Sequence, residues 1–370
     1  MNFVCETSIL SDACQNCQRA ASAKSSIPGA EGILIRTENN SLNLTGYDLE
    51  MGINTSVYAK VNEEGAVIIN AKILCDILRK IPNDTLALFC DERNYIKIRS
   101  GDIRYEIMGI SADDYPELPT VQGGFSFKIS KNLLSDMIKQ TIFSVAVSDT
   151  KVIYTGIKFE LSEGQLRLVA VDGFRMAIRT EKIDYHGDDI SFIVPAKTMA
   201  EIMKISFEDS ENDSEISINV GQHHIIFEIE NYSIISRLLE GEFLNYQNTI
   251  PVSALTHVEV DTKSLIEGIE RTSLIITDRT KSLISCVFDE GIIKISSITA
   301  LGTATDKIYG SVDGNRVEIG FNNRYLLDAL KASNTDKVKM KLNGSVSPIV
   351  ILPPEGENFI FLILPVRLKK

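Results

Sequence analysis

One helical pattern recurs three times along this chain of 370 residues, at intervals of about 125 residues. The three segments that share it are NAKILCDILRKIPND from Asn70, PAKTMAEIMKISFED from Pro195 and FNNRYLLDALKASNTD from Phe321. A repeat with this period predicts three copies of one folded module. The length agrees, because domains of roughly 100–200 residues would divide the chain into two or three.

The three segments also keep their charges in register: a cation, a carboxylate four residues later and a second cation seven residues after the first. The residues are Lys72, Asp76 and Arg79; Lys197, Glu201 and Lys204; and Arg324, Asp328 and Lys331. Seven residues are almost two helical turns, so both cations are expected on one face, where the carboxylate steadies the first of them. Apolar residues take the opposite face. Each helix is predicted to expose a cationic stripe; ordinary solvated surface is the alternative, which the threefold register disfavours.

A second helix is predicted ahead of each of these, in ETSILSDACQNCQRA from Glu6, SKNLLSDMIKQTIFS from Ser130 and TKSLIEGIERTSLII from Thr262. Cations eight residues apart match between the second and third copies, whereas the first copy has polar residues there. The cations are Lys131 and Lys139 in the second copy and Lys263 and Arg271 in the third. The first copy has the polar residues Thr7 and Gln15 at these positions. The cationic register of this helix is therefore partial.

Short alternating or apolar runs lie between the helices, such as GQLRLVAVDGFRMAIRT from Gly164, and are punctuated by Gly, Asn and Asp. This pattern predicts antiparallel strands joined by hairpins. We expect an α+β fold of three similar domains, each with two helices packed on antiparallel sheets. Turn-forming stretches near Pro119 and Asn248 suggest the joins. The expected domains are 1–121 (N-terminal), 122–251 (middle) and 252–370 (C-terminal).

The formal net charge of −12 argues against a protein that binds nucleic acid over its whole surface, because long-range repulsion would keep phosphates away. Only a segregated basic surface is compatible with DNA binding. If the cationic helices of several domains face inward on a ring, their charges line one channel while the acidic excess faces outward. Such a lining attracts the phosphate backbone without reading any base.

The six cysteines are interpreted as small buried hydrophobic residues, since a disulfide framework is not expected in a long intracellular chain. Cys14 and Cys17 form a C-x-x-C, but no second pair of Cys or His lies at zinc spacing. No apolar run approaches the ~18 residues of a membrane span, and the first residues lack the features of a secretory signal. We expect a cytoplasmic protein.

The sequence contains no recognisable catalytic motif. The sequence contains no G-x-x-x-x-G-K, no G-x-S-x-G and no H-E-x-x-H. The pairs Asp113-Asp114 and Asp188-Asp189 could hold magnesium, but adjacent acids in turns are usually solvated. The chain is therefore expected to bind rather than to catalyse, with no cofactor and no metal.

Five motifs, in this order along the chain, resemble those of one known family, the bacterial beta sliding clamps (beta subunit of DNA polymerase III). They are TGYDLEMGI from Thr45, DDYPELP from Asp113, VDGFRMA from Val171, SRLLEGEFLNYQNTIP from Ser236 and LPVRL from Leu364. The resemblance covers essentially the whole chain. Each motif alone is weak, but together they are highly specific.

The resemblance implies the DNA clamp fold, in which two chains join head to tail into a closed six-domain ring with twelve helices lining the hole. It implies a processivity factor that encircles duplex DNA of any sequence and tethers the replicative DNA polymerase, the clamp loader and other proteins with clamp-binding motifs. Membranes are not among the implied partners. The residues expected to face DNA are Lys24, by resemblance, and the helix cations Lys72, Arg79, Lys131, Lys139, Lys197, Lys204, Lys263, Arg271, Arg324 and Lys331.

The resemblance also implies a groove for partner peptides between the second and third domains, with an apolar floor and a polar rim. Positions that match it are Tyr154, Gly173, Phe174, Arg175, Met176, Leu244, Asn248, Thr249, Asn322, Tyr325, Val346, Pro348, Leu362, Leu364, Pro365, Val366, Arg367 and Leu368. Positions that match the subunit interface are Tyr105, Ile107, Leu274 and Ile275, which could equally be interior residues of single domains.

The chain departs from the family pattern at three groove positions: Phe174 replaces a common His, Leu244 a Pro and Asn248 an Arg. The peptide preference is therefore open. An alternative for Val346, Leu362 and Leu364 is that they are ordinary core strand residues.

Two other classes of function compete with a clamp. One is a repeat-built protein-interaction scaffold that never meets DNA, and the other is a nucleic-acid enzyme without a recognisable motif. Retention on circular but not linear duplex separates a ring from both, and a solution mass of about twice 41.0 kDa is what the family implies.

Overall fold

One order of secondary-structure elements recurs along the chain. The computed structural model describes residues 1–22, 24–121, 123–147, 149–207, 214–277 and 283–368. Within them a strand, a helix, a run of strands, a second helix and three closing strands occur three times in succession. This order confirms the threefold repeat and the α+β class.

The three repeats are bounded as follows. The first contains β1 (Asn2–Glu6), α1 (Thr7–Gln18), β2 (Gly32–Glu38), β3 (Ser41–Tyr47), β4 (Met51–Tyr58), β5 (Lys60–Glu63), β6 (Gly65–Asn70), α2 (Ala71–Leu78), β7 (Thr85–Cys90), β8 (Tyr95–Ser100) and β9 (Ile103–Met108). The second contains β10 (Phe125–Ser130), α3 (Lys131–Ile142), β11 (Gly156–Ser162), β12 (Gln165–Val171), β13 (Arg175–Lys182), β14 (Ile190–Pro195), α4 (Ala196–Phe207), β15 (Glu215–Val220), β16 (His224–Ile229) and β17 (Tyr232–Arg237). The third contains β18 (Thr256–Asp261), α5 (Thr262–Ser273), β19 (Leu283–Asp289), β20 (Ile292–Thr299), β21 (Gly302–Gly314), β22 (Val317–Asn322), α6 (Asn323–Ser333), β23 (Lys337–Leu342), β24 (Ile349–Leu352) and β25 (Phe359–Ile363).

The helices begin where the sequence segments suggest. Asn70, Asp261 and Asn322 each stand before a helix and accept a backbone N–H of its first turn, which satisfies a donor that the helix itself leaves open. The second of the recurring segments runs on past α4, and its residues 208 and 209 lie outside the described residues.

The chain divides into two compact units, of which the first comprises residues 1–133 and 200–238. It contains a five-stranded sheet in the order β5-β1-β7-β8-β9 and an eight-stranded sheet in the order β10-β15-β16-β17-β4-β3-β2-β6. Helices α1 and α2 lie in this unit, and their apolar faces bury Leu10 and Leu74.

The second unit comprises residues 134–199 and 239–370. Its twelve strands form one sheet, in the order β14-β11-β12-β13-β25-β24-β23-β18-β21-β20-β19-β22. One core lies beneath the third repeat and includes Leu265, Leu326 and Phe361. A smaller core around Val171 and Tyr246 joins strands of the second repeat to strands of the third.

Consecutive repeats are joined by antiparallel strand pairing. In the first unit β4 pairs with β17, from Met51 opposite Ser236 to Thr55 opposite Tyr232. In the second unit β13 pairs with β25, in a register that sets Arg175 opposite Ile363. Each junction therefore pairs the third strand after the first helix of one repeat with the last strand of the next repeat.

All six cysteines are buried as free thiols, which confirms their interpretation as small apolar residues. Burial raises the pKa of the Cys5 and Cys286 thiols to about 12 and that of Cys75 to about 11. Thiols held in the protonated form are poor nucleophiles and poor metal ligands. The described part of the chain also brings no three His, Cys, Asp or Glu side chains together as metal ligands.

Among the helices that the structure describes, none combines the length and the apolar character needed to cross a bilayer.

Candidate nucleic-acid and peptide interfaces

Helices α2, α4 and α6 present their predicted cations to solvent while the opposite faces are buried. Leu74, Ile202 and Leu326 lie on those buried faces. The exposed cations are Lys72, Arg79, Lys197, Lys204, Arg324 and Lys331. The amphipathic pattern is confirmed, and the contact of these cations with DNA stays a prediction.

The carboxylate of the charged triplet does not steady the first cation in α2 or in α6. In α2, Arg79 Nη1, three residues after Asp76, donates to Asp76 Oδ1 at 3.1 Å. In α6 the carboxylate of Asp328 accepts from Arg175 Nη1 on β13 at 2.6 Å. That expectation was wrong for these two helices, because a residue three positions later shares the helix face equally well and a tertiary partner can compete.

Several exposed cations already have acidic partners. Lys204 Nζ donates to Glu201 Oε1 and Lys331 Nζ donates to Glu270 Oε1, both at 2.7 Å. Lys331 and Glu270 are both about half exposed, and such a pair contributes little stability, so a phosphate can replace this carboxylate at small cost. Glu201 is largely buried, so only the Lys204 side of the other pair is open to solvent. Such a surface can hold DNA only weakly and in a salt-dependent way.

Helices α3 and α5 also carry cations predicted to face DNA, but the positions of these cations within the two helices do not correspond as the sequence pattern suggested. α3 begins at Lys131 and α5 at Thr262, each directly after a strand, so Lys131 corresponds to Thr262 rather than to Lys263. The Lys131 side chain is only 1% exposed, and its Nζ donates to Glu230 Oε1 at 3.1 Å. The prediction that Lys131 faces DNA is therefore corrected, because the first position of this helix is buried.

The remaining cations assigned to DNA are exposed on the surface of their own unit. Arg271 is held by Asp306, with Nη2 2.7 Å from Oδ2. These residues are Lys24, Lys139, Lys263 and Arg271. Nothing in their geometry conflicts with DNA contact, which remains a prediction for all four.

A cavity of about 550 Å³ opens in the second unit, beside the turn between β12 and β13. It is lined by Ala146, Val147, Lys151, Tyr154, Asp172, Gly173, Phe174, Arg175 and Tyr325. Five of the positions predicted for the peptide groove, namely Tyr154, Gly173, Phe174, Arg175 and Tyr325, are thus brought together. The other four lining residues were missed, although the carboxylate in the V-D-G turn was a signal for Asp172.

Asp172 fixes the turn that forms one wall of this cavity. Its Oδ1 accepts the backbone N–H groups of Phe174 at 2.8 Å and Arg175 at 2.9 Å. Gly173 adopts φ +90°, a left-handed conformation that residues with a Cβ rarely take, and a Cβ added there would meet open space. The turn therefore holds the Phe174 side chain at the surface, where it is 59% exposed.

The floor of the cavity is a stack of planar groups. The rings of Phe174 and Tyr325 lie 6.1 Å apart, and the Arg175 guanidinium lies 4.4 Å from the centroid of the Tyr325 ring. Asp172 and Asp328 accept from Arg175 at 3.0 and 2.6 Å, which neutralises this half-buried cation. The rings of Phe174 and Tyr325 give the floor its apolar surface, and the ion pairs of Arg175 hold it in place before any partner arrives.

The connector after β17 packs behind Tyr154, one of the residues that line the cavity. Phe243 meets the Tyr154 ring edge to face, with centroids 5.5 Å apart. Tyr246 anchors the connector: it is buried, and its hydroxyl donates to Glu160 Oε2 at 2.5 Å. Burial, followed by this hydrogen bond, raises the pKa of Tyr246 to about 12. Leu244, between these two anchors, keeps its side chain exposed.

The carboxyl-terminal segment continues past β25 beside Phe174, which lines the cavity, although residues 364–368 are not themselves part of the lining. Leu364 N–H donates to the Phe174 carbonyl and Val366 N–H donates to the Gly320 carbonyl, both at 2.8 Å. The side chains of Leu364 and Val366 are nevertheless exposed. This exposure rules out the core-residue alternative for Leu364, and Val346, which is 78% exposed, is excluded from the core in the same way.

The other positions predicted for the groove divide by burial. Met176 and Leu362 are buried in the smaller core of the second unit, as the core-residue alternative held for Leu362. Those that are exposed or half-buried without lining the cavity are Asn248, Thr249, Asn322, Pro348, Pro365, Arg367 and Leu368. Asn322 is used as the cap of α6, where its Oδ1 accepts Arg324 N–H at 3.0 Å.

The four positions matched to the subunit interface are not interior residues. Tyr105 and Ile107 are half-buried on β9, an edge strand of the five-stranded sheet. In the second unit, Leu274 follows α5 and is 81% exposed, and Ile275 is half-buried. Their participation in an interface stays a prediction.

Comparison with known proteins matches nearly the whole chain to the domains of one family. Models of the DNA polymerase III beta subunit match residues 1–119 (N-terminal domain), 128–245 (central domain) and 247–367 (C-terminal domain). The beta sliding clamp of Halalkalibacterium halodurans is 28% identical over 99% of this chain and 100% of its own length. The crystal structure of a putative DNA polymerase III beta subunit from Eubacterium rectale is 30% identical and superposes with a TM-score of 0.94, with 100% of both chains covered. The sliding clamp of Bacillus subtilis superposes with a TM-score of 0.95 at 27% identity, again over 100% of both chains. The chain therefore belongs to the family of bacterial beta sliding clamps, the beta subunits of DNA polymerase III.

Proposed function

We propose that two copies of this chain join head to tail into a closed ring, which encircles duplex DNA in the cytoplasm and tethers the replicative polymerase. The chain performs no catalysis of its own. It raises the local concentration of the polymerase at the primer end, because a tethered partner rebinds before it can diffuse away.

The pattern of strand junctions carries this proposal. The pairings of β4 with β17 and of β13 with β25 follow one rule, in which the third strand after the first helix of one repeat meets the last strand of the next repeat. Applied once more, the rule pairs β21 of the third repeat with β9 of a first repeat. These two strands are not paired with each other among the described strands of the chain. A second copy can supply each of them.

Both strands have an edge available for such pairing. In the described residues β9 pairs only with β8. The part of β21 before Gly310 pairs only with β20, since β18 begins to pair at Gly310. Open edges are sites where another chain adds a strand. Each copy would use two different edges, that of β21 and that of β9, so the contact is heterologous. Such a contact closes into a ring when the rotation from one subunit to the next is right.

Exposed apolar side chains near these edges support the same interface. Met108 on β9 is exposed in the first unit. In the second unit Leu274, Ile298, Leu301 and Tyr309 are all exposed near β20 and β21. Burial of such side chains is a usual source of affinity between subunits.

The exposed cations of α2, α4 and α6 support the assignment of a DNA-facing surface. They recur once per repeat, on a chain whose formal net charge is −12. Sequence-independent attraction to phosphates needs such a segregated cationic lining and no base contacts.

The ordered apolar cavity beside Phe174 supports docking of short peptides from the polymerase, the clamp loader and other clamp-binding proteins. A preformed pocket with Tyr154, Phe174 and Tyr325 in its walls suits aliphatic or aromatic anchors, which dock without a large ordering cost.

The test is retention on DNA of different topology. The full chain is loaded by its clamp loader onto circular and onto linear duplex of equal length, and the bound fraction is followed after free protein is removed. A closed ring stays on the circle and is lost from free ends. Cutting the circle after loading is expected to release the protein.

Equal retention on circular and linear DNA would overturn the proposal in favour of ordinary surface binding. Absence from both, with a solution mass of 41.0 kDa, would favour a monomeric interaction scaffold instead.

A further inference from the structure

The five-stranded sheet of the first unit has one buried and one exposed face. Leu88 on β7 and Ile98 on β8 lie on the buried face. Because side chains alternate along a strand, the intervening residues point to the opposite face. There Phe89, Arg99 and Arg104 are all exposed. We call this surface of β1, β5, β7, β8 and β9 the basic sheet face.

One row of side chains crosses the basic sheet face from strand to strand. Ala87 on β7 is opposite Arg99 on β8, and Arg99 is opposite Arg104 on β9. On the other side of Ala87 the row continues through Val4 on β1 to Lys60 on β5. Cations therefore stand at both ends of the row, about 19 Å apart, with small or apolar residues between them.

Arg99 and Arg104 are like charges placed directly opposite each other. Such a pair destabilises a sheet, and an anion that bridges the two guanidinium groups removes the repulsion. Neither arginine forms an ion pair or a side-chain hydrogen bond with any residue that the structure describes. Glu106, two residues after Arg104 on the same face, accepts the Tyr95 hydroxyl at 2.6 Å instead. Both arginines are thus accessible and available to an anion.

An aromatic ring lies in the row beside this pair. Phe89 is 39% exposed and is opposite Lys97. Its neighbour on the same face, Ala87, is too small to cover the ring. The Tyr95 ring already has the Lys97 ammonium 5.7 Å from its centroid, so Phe89 is the ring on β7 and β8 that offers a free surface for stacking.

The second repeat lacks this combination on the corresponding strands. β15, β16 and β17 follow α4 as β7, β8 and β9 follow α2, with six residues in each strand. Position by position, Asn219 stands where the first repeat has Phe89. Glu228 and Ser233 stand where it has the two arginines, and Glu228 Oε1 accepts from Ser233 Oγ at 3.0 Å. The basic sheet face is therefore particular to the first repeat and is not a requirement of the shared fold.

We propose that the basic sheet face binds single-stranded DNA without reading its sequence. Phosphates lie on Arg99 and Arg104, and an unpaired base stacks on Phe89. Duplex DNA offers the same phosphates but keeps its bases stacked within the helix, and an acidic peptide segment offers carboxylates without a base. The exposed ring beside the arginine pair is what favours the single strand.

This binding does not depend on ring formation. Strand addition at the edge of β9 uses backbone groups, whereas the side chains of the basic sheet face project perpendicular to the sheet. The proposed ring closure therefore leaves the face open. Retention on circular DNA tests the ring, and binding of a short single strand tests this face.

The test is fluorescence anisotropy of a labelled oligothymidylate of about 20 nucleotides with the full chain, over a series of salt concentrations. The double change Arg99→Gln, Arg104→Gln is expected to weaken binding about tenfold or more. It should also lower the slope of log K against log salt by about 1.4, since each contact with a single-stranded phosphate contributes about 0.7. Phe89→Ala is expected to weaken binding about tenfold through lost stacking and to leave the slope unchanged.

Matched controls come from exposed positions outside the five-stranded sheet. Arg36→Gln with Lys182→Gln removes the same charge from β2 and β13. Tyr58→Ala removes an exposed ring from β4. Both should bind the oligonucleotide as the unchanged chain does. The cations of α2, α4 and α6 are intact in every variant, so any binding that they add is common to all.

Equal weakening in the control double variant would overturn the proposal, because the effect would then follow overall charge. Unaltered affinity of a folded Phe89→Ala chain would do the same, with circular dichroism as the measure of folding. So would a duplex of the same length that responds to both changes as the single strand does, or an oligoglutamate that binds as tightly as the oligonucleotide.

Discussion

Lys131 and Lys204 carry the same charge, but the structure gives them different environments. Lys131 opens α3 with its side chain buried against Glu230, whereas Lys204 lies exposed in the last turn of α4 beside Glu201. A buried ammonium that already has a carboxylate partner cannot turn to a phosphate without losing that partner. Lys131 therefore supports the fold, whereas Lys204 is available to contact DNA.

We predict that Lys204→Gln lowers the salt dependence of DNA binding and that Lys131→Met does not. Each lost phosphate contact should reduce the slope of log K against log salt by about 0.9. The measurement is binding to circular duplex over a series of salt concentrations, with circular dichroism to verify that both variants fold. An equal change of slope in the two variants would contradict the assignment.

The periodicity of single residues was enough to predict which helix cations are exposed, but not the register of Lys131. Matching it to Lys263 by charge ignored the end of the preceding strand, where Ser130 and Asp261 stand as the two caps. The place of Lys151 in the cavity lining could not be read from the sequence, because it depends on segments that only folding brings together.

At the scale of elements, the segment after β25 connects the cavity wall to the chain terminus. Its backbone is held by the carbonyls of Phe174 and Gly320, while Leu364 and Val366 keep their side chains exposed. Such an arrangement fixes apolar groups in place without using them in the core. This is the condition for a rigid docking surface.

We predict that deletion of residues 364–370 abolishes binding of polymerase peptides and that the double change Leu364→Ala, Val366→Ala weakens it about tenfold or more. Residues 369 and 370 lie outside the described residues. The double variant keeps both backbone hydrogen bonds, so it isolates the side chains. Calorimetry with a peptide is the measurement, and Val252→Ala, an exposed apolar residue away from the cavity lining, is the control. Retained affinity in the deleted chain would count against the groove.

The helices and the hairpins could be predicted because their signals are local: a period of 3.6 for helices, a period of two for strands, and caps and turn formers at their ends. The order of the strands in the sheets could not. The pairing of β4 with β17 joins residues as far apart as Thr55 and Tyr232, and it uses backbone groups that every residue has. The resemblance to a family implied the clamp fold as a whole, without naming this pairing.

For the whole molecule, the exposed Leu274 tests the proposed contact between copies. We predict that Leu274→Asp shifts the solution mass from about twice 41.0 kDa toward 41.0 kDa, because it would bury an unpaired carboxylate in the interface. Light scattering after size-exclusion chromatography is the measurement. Val252→Asp introduces the same charge at another fully exposed apolar position and should leave the mass unchanged.

If Leu274→Asp keeps the mass of the unchanged chain, as Val252→Asp should, the Leu274 surface lies outside the interface. The domain boundaries 1–121, 122–251 and 252–370 also stay a prediction. The two compact units both take part of the predicted middle domain, because the strand junctions tie its two halves to different neighbours.

The strand junctions have a mechanical consequence. Within a chain, both junctions are backed by a covalent peptide connector, so breaking their hydrogen bonds cannot separate the repeats. The proposed junction between β21 and β9 would be held by backbone hydrogen bonds without any such tether. A loader that pries the closed assembly apart would therefore concentrate its work at the seams between subunits, and a covalent link across both seams would trap the assembly shut around whatever it already holds.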